Sequence, residues 1–468
     1  MSELATNLAH LGISDAADLI RAKKLSPVEL TDALLDRIEK LDPRFHAFIK
    51  VTPDIARNAA KVAEVEIGAG TYKGPLHGVP FALKDIIDWA GLPTTAHSRV
   101  LIDNIAKSDA VVTQRLKAAG GIMLGKLATH EFAIGGPSFD LPWPPAVNPW
   151  GGRHLPGGSS SGSGVALAAR MLPAALGTDT GGSVRNPASM CAIVGLKPTY
   201  GLVSRRGVFP LSFSLDHVGP MTRSVRDNAI LLQILAGHDP KDPGSADVKI
   251  PDYSKDLKRG LKGVRVGVVR HFYDGDVTAD PRQIAALDKS AETLRGLGAD
   301  VREVRLAPAA DYETCCRIIL ASEAYAIHRR WLQEQPQNYG ELGRQRLMSG
   351  ATFTAADYID ALRMRQRLIA QTLAVFEGID IALTSSSMDP PCPLDDTEAV
   401  ARNYPRQSRQ PFNVTGQPAI AMPAGFTDDG LPLSLQLIGR PFEETMVYRV
   451  AAAYEDATGW TQRVPPGV

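Results

Sequence analysis

Cysteine is scarce in this chain: there are four among 468 residues, at positions 191, 315, 316 and 392, and no CxxC pair. Cys315 and Cys316 are sequence neighbours, a poor arrangement for a bridge. The count argues against a disulfide framework or a cysteine zinc site and for a reducing cytoplasm. An excess of either charge is also missing, since Lys+Arg and Asp+Glu both number 51. A balanced chain is not expected to bind nucleic acid through a polybasic surface, and little net repulsion opposes a homodimer. No apolar run reaches membrane-spanning length, and the opening MSELATNLAHLGISDAADLIRAKK lacks an apolar h-region. Neither a membrane span nor a secretory leader is expected. No metal-ligand spacing occurs, so no metal and no cofactor are expected. The GxxxxGK[ST] phosphate loop is absent too.

What is present is an ordinary globular composition, 44% hydrophobic, in a chain longer than most single domains. Ser26-Pro27 marks a helix start with Ser as cap and Pro at the first turn, continued to about Lys40 by Leu30, Leu34, Leu35 and Ile38. Ser14 reads as the cap of an earlier short helix. Val79 to Leu83 reads as a buried strand that delivers Lys84 and Asp85 at its end. Helices are expected over 54–68, 108–119, 225–236, 283–297, 313–334, 354–377 and 443–458. Further strands are expected over 45–51, 121–124, 264–269, 300–304, 379–383, 419–422 and 433–438. This alternation implies an α/β fold with a sheet covered on both faces, and the lack of a linker favours one large domain over two.

The chemistry concentrates in Leu155 to Pro198, LPGGSSSGSGVALAARMLPAALGTDTGGSVRNPASMCAIVGLKP. Two Gly/Ser-rich loops, Gly157 to Gly164 and Gly177 to Ser183, flank an apolar segment of helical character. Glycine admits close approach of backbone to a ligand, and the hydroxyls can attack or carry protons. A flexible linker has this composition, but this stretch lies between apolar segments. Gly158-Ser159-Ser160-Ser161-Gly162 matches GxSxG, yet the preceding Leu155-Pro156-Gly157 is no strand, and His217 beside Asp216 would be a poor base.

Three segments read together are more specific: HGVPFALKD with Lys84, PGGSSSGSG with Ser159, and GTDTGGSVR with Ser183. With the 24-residue step between the serines, the CAIVGLKPTYG tail, SLDHVGPMTRSV and FNVTGQPAIAMPAGF, they resemble the amidase signature family over most of the chain. The resemblance implies a single amidase domain over 1–468, with a mixed twisted sheet sandwiched between helices, a signature core at about 75–225 and a variable pocket region at about 240–410. It further implies a Lys84–Ser159–Ser183 triad with a cis peptide bond on one side of Ser159 and Ser183 as nucleophile. Thr180, Gly181, Gly182 and Ser183 would supply an oxyanion hole, and Asp179 and Arg185 would brace the loop. Ser161, where the family more often has Gly, leaves the loop's hydrogen bonding open.

Such a site needs a neutral lysine. At a reference pKa of about 10.4, lysine at pH 7.4 is neutral roughly one time in a thousand, a deficit of about 4 kcal/mol that only burial can offset. The lead-in Val79 to Leu83 suits that burial, and alternation turns Asp85 to the opposite face. His77, His130 and Cys191, though near the motifs, read as packing or hydrogen-bonding residues.

The implied reaction is hydrolysis of a small-molecule amide to acid and ammonia or amine, with esters or carbamates as side substrates. The alternative is the amidase subunit of a tRNA-dependent amidotransferase, against which the sequence at Ala321 to Ala326 lacks the Ser-rich, Asn-containing pattern associated with that subunit. Glu131 to Trp150 is a candidate pocket wall, and Arg317, His328, Cys315 and Cys316 lie in the variable half.

Overall fold

The computed structural model describes residues 8–468. Eleven strands make one sheet: β1 Phe48–Val51, β2 Pro80–Lys84, β3 Ile122–Leu127, β4 Ala174–Asp179, β5 Val194–Lys197, β6 His217–Thr222, β7 Arg265–Val268, β8 Asp300–Glu303, β9 Ile381–Ser385, β10 Ala419–Phe426 and β11 Pro432–Ile438. Their spatial order is β1-β3-β2-β4-β6-β5-β10-β11-β9-β7-β8. Strands β3, β2 and β4 run parallel to one another, as do β9, β7 and β8, and the remaining neighbours are antiparallel. The mixed sheet is flanked by helices, as the alternation of elements implied. Every residue of β2, β3 and β4 is buried, the pattern of strands covered on both faces.

Local signals explain most boundaries. Ser26 caps the helix Pro27–Phe45, its hydroxyl accepting from Val28 N at 3.0 Å and Glu29 N at 3.3 Å. Thr354 and Asp357 form a capping box at the start of Ala355–Phe376. That helix and Ala309–Glu334 enclose a second apolar core that includes Tyr312, Cys315, Cys316, Ile319, Leu368 and Phe376.

Three expectations change. The helix near Ser14 starts at Ile13, and its free N–H groups are satisfied by Asp227, which accepts from Ile13 N at 3.0 Å and Ser14 N at 2.8 Å. A carboxylate from a distant helix therefore replaces the local cap. The apolar segment between the Gly/Ser loops is not one helix: Ser161–Ala168 is helical, Arg170 turns with φ 55°, and β4 follows. Pro173 bars any continuation of the helix, because it lacks the N–H a helix would use and disfavours a helical residue before it. Strand β6 has no counterpart among the expected strands, and it contains Gly219-Pro220, a pair unfavourable to a strand. It is nonetheless central, pairing with β4 from Ala174↔Thr222 to Asp179↔His217. Packing on both faces outweighs local propensity there.

Candidate active site

Parallel neighbours β2 and β4 end on the same side of the sheet, and their last residues are Lys84 and Asp179. The C-terminal ends of parallel strands are where open α/β sheets form crevices. The loop before the helix Ser161–Ala168 brings Ser159 to this point. Lys84 is fully buried, and its Nζ donates to Ser159 Oγ at 2.7 Å and to Thr178 Oγ1 at 2.8 Å. Burial pushes the Lys84 ammonium down to about 7, with the charges of Asp179 and Asp216 acting in the opposite direction. The cis bond that the sequence left on either side of Ser159 is Gly158–Ser159.

The two Gly/Ser loops are stitched together. Ser160 N donates to Ser183 O at 3.2 Å, Thr178 N donates to Ser160 Oγ at 3.2 Å, and Ser163 Oγ donates to Leu176 O at 3.0 Å. His130 N donates to Ser159 O at 3.0 Å. Its ring covers Gly158 so closely that any Cβ there would clash with the imidazole. Burial, with Lys84's charge, lowers His130 to about 3, so the ring is neutral.

Ser183 is half-buried between Gly182 and the helix Arg185–Met190. Of the backbone donors expected around it, Gly182 N is already committed to Asp179 Oδ1 at 2.9 Å. The N–H groups of Thr180, Gly181 and Ser183 make no hydrogen bond among the described residues. Thr180 is held from its side chain, its hydroxyl donating to Asp216 Oδ1 at 2.6 Å. Burial raises the Asp216 carboxyl to about 6 despite that bond and two more from Leu211 N and Ser212 N.

Asp179 and Arg185 form a buried pair rather than a surface one. Arg185 Nη2 lies 2.9 Å from Asp179 Oδ1 and Nε 3.0 Å from Oδ2, with both side chains at 0% exposure. Burial alone would raise the Asp179 carboxyl, but Arg185, with Asn413 donating at 2.8 Å, holds it well below the usual carboxylate range. Arg185 also donates to Arg409 O, Gln436 Oε1 and Asn413 Oδ1. Thr178, Asn413, Gln436 and Arg409 carried no motif signal that singled them out. Asn413 falls within FNVTGQPAIAMPAGF, which is where a functional reading could have found it.

The neighbouring candidates are structural. His77 Nε2 lies 2.9 Å from Glu66 Oε2, and Cys191 Sγ donates to Pro156 O at 3.4 Å. The aromatics of the segment 131–150 pack on other parts of the chain. Trp143 meets His97 edge-on, Trp150 Nε1 donates to Cys191 O at 2.9 Å, and Phe132 packs on Phe209 and His328. Its Gly136 to Asp140 portion, with Leu342, Arg346, Val400 and Tyr404, lines a cavity of about 540 Å³. A second cavity, of about 200 Å³, reaches Thr178 and Thr180 from the side of Asp216 and Phe209. Cys315 and Cys316 are buried in the second core, and Arg317 is exposed. No helix among the described residues is long and apolar enough to cross a membrane.

Comparison with known proteins bears on this arrangement. Residues 29–448 match the family described as Amidase. One subunit of the glutamyl-tRNA(Gln) amidotransferase of Geobacter metallireducens is 40% identical over 480 residues, 97% of this chain and 98% of that protein. Its counterpart in Chloroflexus aurantiacus is 39% identical over 485 residues, covering 98% and 99%. Among solved structures, the inhibitor-bound complex of an s-triazine catabolic enzyme superposes with a TM-score of 0.90 at 32% identity, covering 95% of this chain and 98% of that one. The native peptide amidase of Stenotrophomonas maltophilia gives 0.83 at 31%, covering 97% and 98%.

Proposed function

The chain belongs to the amidase family, and from that premise we propose that it cleaves the C–N bond of a small-molecule carboxamide through an acyl-enzyme on Ser183. The observation that carries the proposal is the 2.7 Å hydrogen bond between a fully buried Lys84 and Ser159. With Lys84 lowered to about 7, roughly half or more of it is neutral at pH 7.4, and the deficit of an exposed lysine is gone. Neutral Lys84 takes the Ser159 proton while Ser159 takes the Ser183 proton, and Ser183 Oγ bonds to the amide carbon. The N–H groups of Thr180, Gly181 and Ser183 stabilise the oxygen that gains the charge, whereas Gly182 N serves Asp179 and keeps the loop in shape. The proton returns through Ser159 to the nitrogen, the C–N bond breaks, and ammonia or an amine leaves. Water then enters, gives its proton along the same relay and releases the acid.

Two settings share this half-reaction. Eight curated relatives at 35–40% identity carry the name of the same amidotransferase subunit. They favour an amide-cleaving subunit that works beside a partner over the stand-alone amidase that the variable half suggested. Ser183→Ala and Lys84→Ala variants should fold and lose turnover, and mass detection should place the acyl group on Ser183. A Ser183→Ala chain that retains activity sinks the mechanism. Co-purification with a partner that raises glutaminase activity selects the subunit setting, and full activity of the isolated chain on simple amides selects the other.

A further inference from the structure

Two buried carboxylates hold the segment 211–216, and Ser212 is bonded to both. Its N–H donates to Asp216 Oδ2 at 3.0 Å, and its hydroxyl donates to Glu323 Oε2 at 2.5 Å. Glu323 is 3% exposed on the helix Ala309–Glu334. It also accepts from Ser214 N at 3.1 Å, from the Ser214 hydroxyl at 2.5 Å and from the Tyr358 hydroxyl at 2.8 Å, the last on the helix Ala355–Phe376. All four donors are uncharged, and a carboxylate, which has only acceptors, is saturated by them. Arg365, on the same helix as Tyr358, donates to Ser214 O at 3.0 Å. Both helices of the second core therefore grip this segment. At its end Asp216 accepts the Thr180 hydroxyl at 2.6 Å, and Thr180 N is one of the uncommitted donors on the Ser183 loop.

We infer that Glu323 is a positioning residue for the oxyanion hole: through Ser212 and Ser214 it fixes the segment that carries Asp216, and through Asp216 it fixes where Thr180 N points. The inference rests on the amide-cleaving reading and adds a residue of the variable half to the machinery of the signature core. The carboxylates whose charges act on Lys84 are Asp179 and Asp216, not Glu323, so the role of Glu323 is geometric and a neutral group of the same shape can fill it. Glutamine at 323 keeps an oxygen for Ser214 N, whose N–H cannot reverse. Its NH2 group then faces the Ser214 and Tyr358 hydroxyls, which can turn to accept.

The test is steady-state kinetics on the fastest-cleaved of L-glutamine, benzamide and acetamide, using the full chain with any partner that co-purifies. Glu323→Leu should lower kcat on the order of 10–100-fold, approaching the loss of an oxyanion donor, while KM changes less than about threefold. Glu323→Gln should recover most of that loss. Thr180→Val removes the hydroxyl that Asp216 holds, so Glu323→Leu added to it should cost little more. A brace that only holds the fold together would lower stability and leave kcat, or would add its full loss in the double variant. Either result overturns the inference, as does a glutamine variant as poor as the leucine one. Should Glu323→Leu fail to fold, Ser212→Ala removes one hydroxyl, leaves the N–H on Asp216 and enters the same cycle with Thr180→Val. Additive losses there overturn the inference, and non-additive ones support it. Turnover that persists in Ser183→Ala would instead overturn the amide-cleaving reading, so the two failures are distinguishable.

Discussion

Asp85, the residue next to Lys84, is paired with Lys126: Asp85 Oδ1 lies 3.0 Å from Lys126 Nζ, and both side chains are about 1% exposed. Strand alternation places Lys84 and Asp85 on opposite faces, so each finds a different environment. Asp85 Oδ2 also accepts from Thr95 N and Thr95 Oγ1, and Lys126 also donates to Ile87 O, Pro93 O and Thr94 Oγ1. The nearest carboxylate in sequence is thereby kept from stabilising the protonated form of the residue that must be neutral.

That pairing predicts a stability effect without a catalytic residue being touched. Lys126→Met leaves Asp85 buried and unmatched, and should destabilise the fold by about 3–5 kcal/mol. The double variant Asp85→Asn with Lys126→Met should recover part of the loss. Thermal and urea unfolding of the two variants and the parent check this, and a single variant as stable as the parent would contradict it.

Lys84 should weaken the fold near neutral pH. Its folded pKa of about 7 lies below the ordinary 10.5, so the unfolded chain binds the extra proton between those values, and stability falls as pH drops from about 10 to 7. Below about 7 both states are protonated and the cost is constant. The full shift corresponds to on the order of 4–5 kcal/mol. Lys84→Met, which keeps the stem and removes the amine, should therefore be more stable than the parent at pH 7 and flatten that part of the profile. Urea midpoints measured from pH 6 to 10 read the effect directly. A steeper profile in Lys84→Met would be the wrong sign.

Asp216 should set where the activity turns on. Activity requires neutral Lys84, so kcat/KM should rise with pH through about 7 and level off above it. The charges facing Lys84 are Asp179 and Asp216, and each raises its pKa. Asp216→Asn removes one of them while retaining an oxygen for the Thr180 hydroxyl, so the acid limb should move to lower pH. A pH–rate profile on a neutral amide checks this. A shift to higher pH would mean that Asp216 acts on Thr180 and not on Lys84.

Much of this was legible in the residues, for reasons tied to local chemistry. Ser26-Pro27 announces a helix because cap and first turn are set by adjacent atoms. Lys84 at the end of a fully apolar pentapeptide announces a buried base, because a strand covered on both faces leaves no route to water. What was illegible depends on distant partners. Asp227 capping a helix more than 200 residues away leaves no local trace. Strand β6 is hidden because Gly219 and Pro220 speak for a turn, and only its two neighbours hold it extended. The commitment of Gly182 N to Asp179 follows from the bend of the loop, which spacing alone does not specify.

The Asp179–Arg185 pair should prove intolerant of conservative change. Asp179 receives two hydrogen bonds from the Arg185 side chain, at 2.9 and 3.0 Å, and main-chain bonds from Gly182 and Val184 on either side of Ser183. The carboxylate therefore shapes the nucleophile loop, and the guanidinium keeps it charged. Lysine at position 185 has no planar fork and cannot at once reach Asp179, Arg409 O, Gln436 and Asn413. Arg185→Lys should cost several kcal/mol of stability, because a buried carboxylate loses its two-pronged ion pair, and should lower kcat more than it raises KM, because the oxyanion donors lose their alignment. Asn413→Ala removes one bond to the Asp179 carboxylate and one to its carbonyl but leaves the ion pair, so its loss should be smaller in both respects. Steady-state kinetics with thermal unfolding on the two variants separate these outcomes. An Arg185→Lys enzyme with unchanged kcat would show that the loop holds its shape without the fork.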